Sequence, residues 1–202
     1  MKKSPKNIPE FVAKSRAEWR KWLVKNHLDA KNIYLVVFKK SSPSYALTVD
    51  EAIDEALCFG WIDSTPGKRD EESFYLLFAH RNPKSKWSAV NKRKIEKLMK
   101  AGLMQAEGMR MVNLAKETGT WTALDDVEKG VIPDDLAKAF YTNKAAIEYW
   151  EKFPPSVKRG ILEWISDAKK PETRKKRIDE TVACAALNIR ANYPSQSGSV
   201  EK

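Results

Sequence analysis

Runs of residues suited to β-strands occur only in the first half of this chain, and that distribution limits the possible folds more than any other feature. Residues 33–38 (Ile-Tyr-Leu-Val-Val-Phe) and 74–78 (Phe-Tyr-Leu-Leu-Phe) are short apolar runs rich in β-branched and aromatic side chains, which pack well on a pleated surface. Trp61-Ile62-Asp63 is placed to pair with the second run across a turn at Pro66-Gly67. The second half carries no such run. Beyond Pro133 apolar residues recur with the helical period of 3.6, through Leu136 to Tyr141, Ala146 to Phe153, Val157 to Ala168 and Ile178 to Ile189. Pro154-Pro155 and Lys170-Pro171 separate the last three of these helices. The expected class is α+β, with a small, mainly antiparallel sheet and packed helices in the N-terminal half and an all-helical C-terminal part.

Helix starts in the first half are marked by side chains able to satisfy the unpaired amides of a first turn. Ser15 with Glu18 and Thr48 with Glu51 both fit the capping-box spacing. The first helix presents Trp19, Trp22 and Leu23 inward, and the second presents Val49, Ala52, Ile53, Ala56 and Leu57 before stopping at Gly60. A third helix is expected over residues 85–101, with Trp87, Val90, Ile95, Leu98 and Met99 inward, and a fourth over 104–117. The expected organisation is an α+β region over 1–120, a connection over 121–133, a helical region over 134–192 and a flexible tail over 193–202. Two glycine-rich nucleotide-binding patterns, GxGxxG and GxxxxGK[ST], are absent.

Apolar residues make up 42% of the 202 positions, enough to offset the entropy of ordering a chain this long. No apolar run reaches the roughly 20 residues that a membrane-spanning helix needs. Residues 1–20 are basic at the start but contain no apolar core of a secretory signal. Cys58 and Cys184 lack CxxC spacing, and only two histidines, His27 and His80, are present. The expectation is a cytoplasmic protein with no membrane span, no metal and no cofactor.

Charge is distributed unevenly. Thirty-seven basic residues face 27 acidic ones, for a net +10, yet residues 81–100 hold eight bases and one acid while residues 50–63 hold five acids and no base. Such a balance favours anionic partners.

Two segments concentrate unusual side chains. In residues 55–64, EALCFGWIDS, a helix stops and turns directly into a strand. Residues 79–91, AHRNPKSKWSAVN, begin where the partner strand ends. Pairing of these strands gathers Glu55, Cys58, Trp61, Asp63, Arg81, Trp87, Ser88 and Asn91, a mixture of aromatic walls and charged groups suited to a ligand pocket. Each has a plainer reading as well. Trp61 and Trp87 fit a hydrophobic core, Ser88 is an ordinary first-turn residue, and Asn91 falls on the apolar stripe, where a buried amide must find partners. Cys58 could be a nucleophile activated by Arg81, but no histidine stands in a recognisable arrangement with it. Glu55 and Asp63 could form an acid–base pair. An Asp63–Arg81 salt bridge is expected to fix the two segments together. No catalytic residue is assigned.

The phrase EALCFGWIDS, the basic segment ending in KSKWSAVN and the C-terminal AKKPETRKKRI together resemble the bacteriocin-protection, YdeI or OmpD-associated (OmdA-like) family, over a stretch from EWRKWLVKNH to ALNIR. The resemblance implies a role in resistance to antimicrobial peptides, with no reaction or ligand attached. Cationic peptides would be repelled by a protein of net +10, so protection by direct capture is disfavoured. The leading expectation is an intracellular protein that binds a small anionic ligand or a protein partner. One alternative is a nucleic-acid-associated protein using Arg174, Lys175, Lys176 and Arg177 for weak, non-specific, salt-sensitive contacts. Another is an enzyme on a small anionic substrate, with Arg81 holding the anion and Asp63 or Glu55 as base.

Overall fold

A computed structural model describes residues 8–193. They divide into two compact units, one ending at Ala123 and the other beginning at Leu124.

The first unit is the α+β part. Its sheet has the order β1 (Glu10–Val12), β2 (Asn32–Phe38), β5 (Ser73–His80), β3 (Trp61–Asp63), and the two-residue β4 (Gly67–Lys68) also pairs with β5. The two long strands are the apolar runs expected from sequence, paired antiparallel with Leu35 opposite Leu76. The short β1 lies parallel to β2, Phe11 opposite Leu35, which makes the sheet mixed. Alternate residues Ile33, Leu35, Val37, Leu76 and Phe78 are buried in one cluster with residues of the helices α1 (Arg16–Asn26), α2 (Val49–Cys58), α3 (Ala89–Lys100) and α4 (Ala106–Glu117), as the two-residue period of a strand requires.

Both expected helix starts are present. Thr48 forms the full reciprocal box with Glu51. Ser15 accepts from the Glu18 amide, but the Glu18 carboxylate turns back to the Lys14 amide instead of that of Ser15. The turn between β3 and β5 differs from the expected Pro66-Gly67. Gly67 is already paired with Tyr75, and the chain reverses at 69–72, where Asp70 Oδ1 accepts from the amides of Glu72 and Ser73 and from the Ser73 hydroxyl. A short Asx side chain is well suited to such a reversal. The third helix also begins later than expected, at Ala89, because Ser88 is its cap and accepts from the Asn91 amide. Its buried residues are Ile95 and Leu98, whereas Val90 and Met99 are exposed.

Among the described residues the regular elements of the second unit are all helices, α5 (Asp125–Glu128), α6 (Asp134–Tyr141), α7 (Lys144–Lys152), α8 (Pro155–Ser166) and α9 (Pro171–Ala186), around a core that includes Leu136, Phe140, Trp150, Ile161 and Ile178. The stretch 121–133, expected as a connection, thus holds a short helix that opens this unit. The last helix ends at Ala186, leaving Ile189 outside it and exposed. Residues 194–202 of the expected tail lie outside the described residues.

Candidate functional site

The passage from α2 into β3 is governed by Gly60, whose φ of 75° is in the left-handed region that glycine enters without penalty. On the α2 side of it, Glu55 is buried and held by two guanidinium groups of α1, Arg16 Nε at 2.6 Å from Oε1 and Arg20 Nη1 at 2.6 Å from Oε2. Arg20 also donates to the Leu103 carbonyl at 2.8 Å and lies over the Phe59 ring. The hydrogen bond that Arg16 donates to Glu55 raises the Arg16 pKa. Cys58, fully buried beside them, has its thiol pushed up to about 11 by burial, so it is protonated near neutrality and is a poor nucleophile. This cluster ties α1 to α2.

Trp61 is a core residue with no exposed surface; its indole N–H donates to the His27 carbonyl at 3.1 Å and its ring meets Trp22 and His80. Asp63 stands opposite Phe78, and burial raises its pKa. The expected Asp63–Arg81 salt bridge does not form. The antiparallel register sets His80 against Trp61, and the Arg81 amide donates to the Gly60 carbonyl. Arg81 therefore lies at the far end of the pairing from Asp63, about 10 Å along the strand at some 3.3 Å per residue.

Arg81 instead enters the space ahead of α3. It is 5% exposed, its Nη2 donates to the Lys86 carbonyl at 2.6 Å, and its guanidinium carbon lies 3.7 Å over the ring centre of Trp87. Its Nε–H is buried and has no partner among the described residues. Burial pulls its pKa down to about 10, and among the described residues no acidic neighbour offsets that pull. Trp87 is buried, anchored by its amide to the Thr120 carbonyl, and its ring lies 5.1 Å from that of half-buried Trp121. The ammonium groups of Lys92 and Lys116 stand 5.9 and 5.6 Å from the Trp121 ring centre. Ser88 caps the start of α3 by accepting from the Asn91 amide, and Asn91 is half-exposed where the sequence suggested burial.

The eight candidate residues thus fall into three groups. Glu55 and Cys58 join the Arg16–Arg20 clamp, Trp61 fills the core, and Arg81 and Trp87 form the stack just before the α3 start, where Ser88 caps the Asn91 amide, with Asp63 apart from all three. Sequence reasoning missed Arg16, Arg20, Lys116 and Trp121. The four-residue spacing of Arg16 and Arg20, which places both on one helix face, was a usable sign of a carboxylate clamp. A groove of about 540 Å³ between the end of β2 and the start of α2, lined by Val37, Lys40, Tyr45, Leu47, Asp50 and Phe74 among others, contains none of the eight.

In the second unit, most of the basic segment that opens α9 is already engaged. Arg174 is paired with Asp135 at 2.6 and 2.8 Å, Lys175 with Asp179 at 2.7 Å, and Arg177 donates to the Trp164 carbonyl while lying over the Trp164 ring. Lys176 is exposed. Among the described residues no group of three or more His, Cys, Asp and Glu is placed to hold a metal ion, and no helix is long and apolar enough to cross a membrane.

Comparison with known families divides the chain at nearly the same place as the fold does. Residues 11–111 match a domain of unknown function, DUF8412, and residues 129–188 match the family described as bacteriocin-protection, YdeI or OmpD-associated. The first match spans half of the chain, which belongs to that family; the second is a likeness confined to the C-terminal residues. EALCFGWIDS and KSKWSAVN fall within the DUF8412 match, and AKKPETRKKRI within the bacteriocin-protection match. The second match suggests a role linked to bacteriocin protection. No curated protein and no solved structure matches the chain.

Proposed function

We propose that this bacteriocin-protection, YdeI or OmpD-associated protein is a binding protein, not an enzyme, and that its DUF8412 domain takes an anionic ligand at the Arg81–Trp87–Trp121 stack ahead of α3. The observation that carries this reading is Arg81, a guanidinium only 5% exposed that has, among the described residues, no acidic partner and one unpaired N–H. An unpaired buried cation is costly, and an arriving anion recovers part of that cost. The other candidate groups speak against catalysis: Glu55 is engaged by Arg16 and Arg20, and Cys58 is protonated near neutrality.

Inorganic phosphate serves as the probe. It should raise the melting temperature above the effect of sodium chloride at equal ionic strength, because a ligand of the native state alone stabilises it. In ¹⁵N-labelled protein it should shift one arginine Nε–H resonance, which is lost in Arg81→Lys. Equal effects of phosphate and chloride, with no arginine resonance moved, would refute the proposal.

A further inference from the structure

The charge surrounding this stack does not end at the stack. On α3, Arg93, Lys97 and Lys100 are all exposed and follow the i, i+4, i+7 spacing of one helix face. None of the three forms an ion pair among the described residues. The neighbouring Lys94 differs, being shared between Asp50 and Asp54 of α2 at 3.1 and 2.7 Å. A rise of 1.5 Å per residue sets the three cations about 5–6 Å apart along the axis, over a row of about 10 Å. At the start of the helix stands Trp121, half-buried with Lys92 and Lys116 beside its ring and backed by buried Trp87 and Arg81.

We infer that α3, with Trp121 beside its first turn, binds single-stranded nucleic acid: an unpaired base stacks on the Trp121 indole next to Lys92, and successive phosphates pass round the helix to Arg93, Lys97 and Lys100. This rests on the reading that the start of α3 receives anions. An aromatic platform continued by a track of cations is the combination that holds single strands without reading sequence. A duplex keeps its bases stacked inside and has none to offer Trp121. A mononucleotide would leave most of the row unused. An acidic membrane surface fits less well, because the exposed apolar residues of α3 are only Val90 and Met99, nine positions apart.

The alternative nucleic-acid reading of the sequence placed its contacts on α9, but there Arg174, Lys175 and Arg177 have internal partners. On α3 the cations of the row remain available.

The test is fluorescence anisotropy of a dye-labelled oligothymidylate with the full chain, alongside a duplex, a mononucleotide and vesicles containing phosphatidylserine. The single strand should bind most tightly, and its affinity should fall steeply between low and physiological salt. Each phosphate contact contributes about 0.7 to the log–log salt slope of a single strand. Replacing Arg93, Lys97 and Lys100 together by Gln should therefore flatten the slope by about 2, with the melting temperature nearly unchanged. Trp121→Ala should weaken binding by about ten-fold or more, and Trp121→Phe, which keeps an aromatic ring and protects against loss of packing, should restore most of it. Lys175→Gln and Lys176→Gln on α9 should have little effect.

Binding untouched by the triple substitution, preference for duplex, or binding to vesicles without binding to oligothymidylate would overturn the inference. Phosphate stabilisation with no single-strand binding refutes this inference and leaves the anion site standing. Single-strand binding that survives in a protein indifferent to phosphate upholds the α3 track and refutes the Arg81 site.

Discussion

Substituting alanine for Gly108 tests the packing that positions the whole region. Gly108 lies inside α4, where it is buried and passes close to the end of α2. A Cβ there would come 2.2 Å from the Cys58 carbonyl oxygen, 2.7 Å from the Cys58 carbonyl carbon and 2.9 Å from the Leu57 oxygen. Ordinary carbon–oxygen contacts start near 3.3 Å, so α4 must retreat by about 1 Å. All three obstacles are backbone atoms, so no rotamer change relieves them. Retreat also strains the hydrogen bond from the Gln105 amide to the Cys58 carbonyl, 3.0 Å long, and loosens buried Met111 and Val112.

Two effects oppose each other. Alanine is favoured over glycine within a helix by about 1 kcal/mol, while forcing extra volume into a packed site costs about 1–3 kcal/mol and occasionally more. Because the contact is so short and backbone-bound, the packing cost prevails, and we expect a net loss of about 2 kcal/mol. Urea unfolding followed by tryptophan fluorescence provides the measurement. Gly160→Ala in α8 is the control, because the nearest obstacle there is the Tyr193 hydroxyl at 2.8 Å, at the end of an exposed side chain that can swing away. That variant should be as stable as the parent or gain up to about 1 kcal/mol. A Gly108→Ala protein at least as stable as the parent would refute the close approach of α2 and α4.

Glu55→Gln leaves Arg16 and Arg20 facing a neutral amide. Because both arginines are partly exposed, the loss should fall below the 3–5 kcal/mol of a fully buried broken pair, at about 2–3 kcal/mol by urea unfolding; an unchanged midpoint would show that the clamp adds nothing. Iodoacetamide near pH 8 should modify Cys58 in the native protein far more slowly than half-buried Cys184, because burial holds the Cys58 thiol at a pKa of about 11. Peptide mass spectrometry separates the two sites, and rapid labelling of Cys58 would contradict the packed position. Burial raises the Asp63 pKa, so the native state binds this proton more tightly than the unfolded chain and the group's contribution to stability falls as pH rises through the carboxylate range. Asp63→Asn should accordingly raise the melting temperature near pH 7 and lose that advantage below about pH 4; a gain independent of pH would point to another cause.

The parts of this fold that were legible in sequence are those written in local chemistry. Residues 33–38 and 74–78 announce strands by composition, Thr48 and Glu51 announce a helix start, and Gly60 marks the one backbone position there with positive φ. What escaped was non-local. The strand Glu10–Val12 is three residues long with an exposed–intermediate–exposed pattern, and it exists because β2 offers it an edge. The Asp63–Arg81 pair failed for the same reason. Asp63 ends β3 and Arg81 follows β5, and register, set by a turn centred about four residues beyond Pro66-Gly67, puts them at opposite ends of the pairing.

Charge shows the limit most clearly. The sequence counts cations correctly, and by that count the RKKR segment of α9 was a candidate anionic contact beside the basic stretch 81–100. Availability, however, is set by acids far away in the chain: Asp135, 39 positions before Arg174, occupies that guanidinium, while Asp50 and Asp54 occupy Lys94 from 40 or more positions away. Once those pairs are set aside, together with Lys175–Asp179 and the Arg177–Trp164 contacts, four adjacent charges on α9 reduce to exposed Lys176, and a spaced trio on α3 remains whole. Net charge of +10 therefore describes the attraction of the chain for anions in general, and the fold decides the place at which an anion can use it.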